Sequence, residues 1–259
     1  MVVFGRIWRP LVLIIACGIL WWLITRFNLV AGYLLPSPGH TLAVFVQQPG
    51  YLLANTLTTL WETLAGFALA IVTGLLAAVV MVYSRTIERT LYPLLLFAQV
   101  IPKIAIAPLF VVWLGFGTPP KIVVAVLMAF FPVVISGMIG LRSVDPELLE
   151  LVATMGAKPV QAFRKIRFPA ALPHVFSGLK VAATLAVTGA VVGEFVGANA
   201  GLGYVILQAN GNLDTPMLFA GLIVMSLLGV VLFVVIELAE RVLLPWHASR
   251  RAAPVTTAY

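Results

Sequence analysis

Six stretches of this chain, at residues 11–24, 57–83, 91–114, 122–141, 175–196 and 218–243, are apolar over lengths that approach or exceed a membrane crossing. About 20 apolar residues are needed, because a helix rises roughly 1.5 Å per residue through about 30 Å of hydrocarbon. Within lipid every backbone N–H and C=O must find a partner inside the segment, so runs of this kind fold as helices. The expected fold is therefore all-α, an integral membrane protein of six transmembrane helices. Composition agrees: 62% of the residues are hydrophobic and 10% charged, too apolar for a surface held in water. The first stretch follows Arg6 and Arg9 as a signal peptide would, but Thr25-Arg26-Phe27 offers no small-residue cleavage site, and the segment reads as retained.

The formal charge of +7 first suggests a nucleic-acid binder. With six spans and a cytoplasmic N-terminus, however, twelve of the sixteen Lys and Arg fall on the inner side, Arg26 and Lys121 fall outside, and Lys103 and Lys180 are embedded. That bias fixes the orientation, with both termini cytoplasmic, and explains the charge by topology. No basic stripe interleaved with aromatics marks a nucleic-acid surface. The single cysteine, Cys17, permits no internal disulfide. His40, His174 and His247 fall in separate loops, so the sequence offers no metal set and no catalytic pair. A phosphate-cradling loop ending in Gly-Lys-Ser/Thr is also missing, so the chain is not itself an ATPase of that kind.

The expected organisation is a membrane domain over 1–247 and a short cytoplasmic tail over 248–259. The one long inner loop, 142–173, opens with Asp145 as a helix cap, Pro146 in the first turn and Glu147 facing the positive helix end. Leu148, Leu151, Val152 and Met155 recur at helical spacing, and Gly156 can end the helix in a left-handed conformation. Pro159 opens a second helix, with Pro169 and Pro173 expected to return the chain to the membrane. A mere connector needs no capped apolar helix. Such a face fits a partner's groove.

This loop resembles the signature of binding-protein-dependent ABC permeases, in which Glu, two alanines, Gly, Ile, Pro and Pro recur at fixed intervals. Glu150, Gly156, Ile166, Pro169 and Pro173 occupy those positions here, and Leu151 and Val152 stand where the alanines would be. The resemblance covers 57–247, with supporting stretches at 140–145, 201–203 and 244–247, and points to the nitrate, sulfonate, taurine and pyrimidine-precursor permeases. It implies a type I importer permease of the methionine-importer kind in a bacterial inner membrane. Two copies would form one pathway, with a dimeric ATPase that binds ATP and Mg, and a periplasmic or lipid-anchored solute-binding protein. It further implies that Glu150, Thr154, Met155, Gly156, Ala157, Phe163, Ile166, Pro169 and Pro173 form the coupling contact with the ATPase.

Lys103 lies about 12 residues into the third stretch, roughly 18 Å from its inner end. Pro102 and Pro108 flank it and predict a broken helix. Two readings of Lys103 stand: it borders the translocation path and favours anionic or electron-rich solutes, or it is buried in an ion pair with Glu62 or Glu194. Glu194, Asn199 and the Gly201-Leu202-Gly203 turn resemble the family's periplasmic gate, the alternative for Glu194 being an interfacial carboxylate beside a solvated loop. Gly189, Gly193 and Gly197, like Ala182, Ala186 and Ala190, recur every four residues and form narrow faces for close helix packing, against a second subunit or along the pathway. The rival class is a proton-coupled secondary transporter using Glu62 or Glu237, against which stands the lack of half-and-half symmetry.

Overall fold

The computed structural model describes residues 4–245, and the expected tail at 248–259 lies outside them. Every regular element among these residues is helical. In chain order they are α1 (Phe4–Arg26), α2 (Pro38–Gln47), α3 (Pro49–Tyr83), α4 (Arg85–Val100), α5 (Lys103–Leu114), α6 (Thr118–Arg142), α7 (Pro146–Thr154) and α8 (Pro159–Ala162). A π-helical turn, Phe163–Arg167, leads into α9 (Phe168–Glu194), followed by α10 (Leu202–Gly211) and α11 (Thr215–Leu243). Contacts group the described residues into two units, those up to 59 with 198–226 and those from 60 to 197 with 227 onward.

The first unit is built around a small apolar cluster of Val44, Leu52, Val205, Ala209, Met217 and Ala220. Pro36-Ser37-Pro38 is a helix start: Ser37 is extended at φ −69° and ψ 150°, and its hydroxyl accepts the His40 N–H. Pro38 then fills the first turn of α2, where its missing N–H costs nothing. Trp21 fixes the preceding loop by donating its indole N–H to the Pro36 carbonyl at 2.9 Å, while its ring stacks on Phe219 at 5.8 Å.

The second unit centres on α6. Small residues let its neighbours come close: a Cβ on Gly66 of α3 would lie 2.5 Å from the Ala125 Cβ, and one on Gly189 of α9 would lie 2.6 Å from the Ala125 Cα. Ala182, Ala186 and Ala190 are fully buried. In hydrocarbon such contact comes from dispersion between closely approaching backbones, which side chains larger than methyl would prevent. Both narrow faces of α9 are therefore used inside the chain at these positions, except for exposed Gly197, which lies beyond the helix end. On the outside, Leu69, Val72 and Leu76 of α3 and Val230, Val231 and Val235 of α11 are exposed, as lipid-facing residues should be.

Among the described residues four helices are long and apolar enough to cross a membrane, and a fifth crossing arises if the bent α4–α5 pair counts as one. The first expected stretch gives a shorter apolar helix at Val12–Arg26. Six equal spans are thus not what the described residues display. Two boundaries also move. The second span begins at Pro49 rather than 57, and the fifth is continuous from Pro159 through the π turn to Glu194. Pro169 and Pro173 do not end it. The Phe168 N–H reaches back five residues to the Phe163 carbonyl, and this wider turn lies directly ahead of Pro169 in the first turn of α9.

Candidate functional site

The 142–173 loop is built by local chemistry that the structure shows bond by bond. The Asp145 carboxylate accepts the Glu147 N–H at 3.0 Å, and Pro146 follows in the first turn of α7. At the other end Gly156 takes φ +80°, the left-handed conformation that glycine adopts without strain, and the Ala157 N–H bonds the Val152 carbonyl at 3.2 Å. The Lys158 N–H then donates to the Gln161 side chain at 2.9 Å, starting α8.

The predicted coupling residues divide into two groups. Glu150, Thr154, Met155 and Gly156 are exposed, with Ala157 half-buried at the turn. Leu148, Leu151, Met155 and Val160 show apolar side chains to the outside, Met155 at 79% exposure. Phe163 and Ile166 turn inward by comparison and are half-buried. The Phe163 ring lies 6.2 Å from Tyr83 at the end of α3 and 6.0 Å from Phe168, while the Arg167 guanidinium caps the Tyr83 face at 5.4 Å. Pro169 and Pro173 lie half-buried within α9. One part of the motif thus anchors the hairpin on α3 while the other offers an open apolar ridge.

A second arrangement surrounds Lys103. The chain turns by 99° between α4 and α5 at Ile101-Pro102, as the proline predicts, while Pro108 is carried inside α5. The Lys103 ammonium donates to the Gln99 carbonyl, one of the acceptors freed by the break. Both line a cavity of about 180 Å³, together with Ile106, Leu127, Phe130 and Phe131. No carboxylate pairs with Lys103 among the described residues. The ion-pair reading of Lys103 therefore fails.

Glu62 pairs with Lys121, at 2.8 Å, with side-chain exposures of 0% and 7%. Lys121, expected outside the membrane core, is buried in the first turns of α6. Glu194 is fully buried as well, which overturns its reading as an interfacial carboxylate, and it lies beside Glu62. A Cβ on Gly193, one residue before Glu194, would come within 2.7 Å of the Lys121 Cα, so α9 and α6 touch backbone to backbone at this polar cluster. Lys180, embedded as expected, bonds Glu240 at 2.7 Å, and Glu237 pairs with Arg241 one turn later in α11.

The predicted gate residues occupy the start of α10. Gly201, at φ +111°, precedes the helix and has no side chain to cap it. Two residues of α3 supply the caps instead. Asn55 accepts the Gly201 N–H at 2.8 Å, and Thr59 accepts the Leu202 N–H at 2.7 Å. Leu202 and Gly203 are buried, whereas Asn199 is exposed in the loop before them. Asn55 and Thr59 are not among the residues expected here. Their signal lies in Asn55, Thr59, Glu62 and Thr63, a polar stripe at helical spacing in an otherwise apolar helix.

Buried ion pairs, a broken span and a capped helix-hairpin outside the apolar region define a helical membrane transport component. The chain belongs to the family described as binding-protein-dependent transport system inner membrane component, whose profile matches residues 70–246. It is 40% identical over 227 residues to the formylaminopyrimidine transport permease protein ThiX of Halalkalibacterium halodurans, covering 87% of this chain and 91% of that one. It is 38% identical over 219 residues to the riboflavin transport system permease protein RibX of Chloroflexus aurantiacus, covering 84% and 82%. Among solved structures, the MetNI methionine ABC transporter in an inward-facing form superposes with a TM-score of 0.61 at 23% identity, over 74% of this chain and 98% of that one. The fold is that of a type I importer permease. The protein is an inner-membrane transport component of an ABC importer, not an enzyme.

Proposed function

We infer that this chain forms the translocation path of its importer as a pair of identical subunits, with six spans each and both termini in the cytoplasm. A separate dimeric ATPase, carrying ATP and Mg, docks on hairpin 142–173, and a periplasmic or lipid-anchored binding protein delivers the solute. The observation that carries this reading is the exposed apolar face of α7, a helix capped at both ends, with Leu148 and Leu151 on the helix, Met155 at its C-terminal cap and exposed Val160 following on α8. An apolar helix face outside the membrane seats in a partner's groove. ATP-driven changes in that groove then favour one state of the spans over the other by differential contact. Family membership displaces the proton-coupled alternative.

For the solute, the relatives named for a pyrimidine and for riboflavin are more similar to this chain, at 40% and 38% identity, than those named for aliphatic sulfonates and taurine, at 32% and 29%, which favours a planar nitrogen heterocycle. At about 180 Å³ the cavity beside Lys103 has room for a single small ring rather than a flavin, with Phe130 and Phe131 offering ring faces and Lys103 and Gln99 supplying polar contacts. Glu194, Asn199 and the 201–203 turn form the outer gate in this reading, with Pro102 permitting the bend that opens the cavity.

Right-side-out vesicles loaded with ATP and supplied with the binding protein test the whole proposal. Uptake of a labelled pyrimidine that requires internal ATP and is indifferent to a protonophore is the expected result. Uptake abolished by the protonophore and independent of ATP contradicts the reading. Lys103→Met is expected to reduce uptake about tenfold or more while leaving the protein's abundance unchanged.

A further inference from the structure

At the end of the spans next to the hairpin, a cavity of about 830 Å³ opens between the start of α4, the end of α6 and the start of α7. Arg85, Arg89, Arg142 and Arg167 line it, with Glu88 as its only acidic group. Glu88 is taken by Arg142 at 2.6 Å, and Arg167 also stacks over Tyr83. Arg85 and Arg89 are exposed, and neither forms an ion pair among the described residues. The floor is apolar, with Val82, Leu141, Val144 and Leu149, and the Tyr92 side chain adds a hydroxyl.

A positive bias on the inner side of a membrane protein needs only that basic residues lie there. It does not require four guanidinium groups to converge on one concave site with an excess of three positive charges. Guanidinium forks match phosphate oxygens two at a time, and they do so most strongly where several converge. Basic pockets at the cytoplasmic ends of membrane helices, with an apolar floor beneath, suit a phosphate-bearing headgroup.

We propose that the arginine cavity between α4, α6 and α7 binds a phosphoanion, through Arg85, Arg89 and Arg167, at the root of the coupling hairpin. Its source is an anionic phospholipid of the inner leaflet or a free phosphate in the cytoplasm. The site is independent of the solute's identity and needs only the inward placement of the hairpin.

The test uses the full chain extracted from its membrane in mild detergent. Phosphatidylglycerol and phosphatidylethanolamine retained on the protein are quantified by mass spectrometry for the normal chain, for Arg85→Gln/Arg89→Gln, and for Arg164→Gln/Lys165→Gln as a control of equal charge outside the cavity. In parallel, stripped protein is titrated with inorganic pyrophosphate and its thermal midpoint followed. Because Arg85 and Arg89 are exposed and unpaired, the fold does not depend on them, and Arg89→Gln alone serves if the double variant accumulates poorly. About tenfold less phosphatidylglycerol on the cavity variant than on the control identifies the membrane as the source. A pyrophosphate-induced rise in midpoint, lost only in the cavity variant, identifies a soluble phosphoanion. Equal behaviour of the cavity variant and the control in both measurements overturns the proposal.

Discussion

At the scale of single residues, the decisive group is the buried trio of Glu62, Lys121 and Glu194. Removing one member of a buried ion pair strands a charge in a medium that solvates it poorly, which costs about 3–5 kcal/mol. Lys121→Met is expected to lower stability by about that amount, read as a fall in the thermal midpoint in detergent. Combining it with Glu62→Leu should restore part of the loss, because an apolar pair of similar volume removes one of the two carboxyl groups that the single change strands. A double variant no more stable than the single one would mean that the trio is held by something other than charge pairing. None of this pairing could be read from the sequence. Glu62 and Lys121 are 59 positions apart, and only the packing of α3 against α6 brings them together. Lys103 drew attention because it stands alone in an apolar run, yet the partner assigned to it belongs to Lys121.

Elements reveal a different balance. The ends of α7 were legible to the residue, because Asp145, Pro146 and Gly156 act on their immediate neighbours and need no distant partner. Gly201 and the α10 start were legible only in part: the permissive glycine was visible, but the caps come from Asn55 and Thr59, more than 140 positions away. Asn55→Ala is expected to cost about 1–2 kcal/mol by leaving the Gly201 N–H unpaired in a buried site. A change in thermal midpoint no larger than that of an exposed alanine control in the same helix, such as Thr73→Ala, would show the cap to be dispensable. The π turn ahead of Pro169 is hidden in the sequence for a related reason. Proline reports that a normal turn is disrupted, not whether the chain breaks or widens to continue. Close packing gives a sharper expectation. Gly193→Leu has no room against the Lys121 backbone, so this variant should fail to accumulate in the membrane, whereas Gly211→Leu, with open space around it, should accumulate normally.

On the scale of the whole molecule, hydropathy and the spacing of one inner loop sufficed for the fold class and the family, because both are linear properties of the chain. Span number was less accessible, since a bent pair and a short first helix blur the correspondence between an apolar run and a crossing. The central claim is that the exposed ridge of α7 seats the ATPase. Its most direct test is co-purification of the tagged chain from its native membrane, with partners identified by mass spectrometry, for the normal chain and for Leu151→Asp. Leu151 is 57% exposed, so the substitution leaves the fold of the permease intact while placing a charge on the docking face. A nucleotide-binding subunit is expected to accompany the normal chain and to be lost from Leu151→Asp. An ATPase retained equally by both chains, or present with neither, contradicts the central claim.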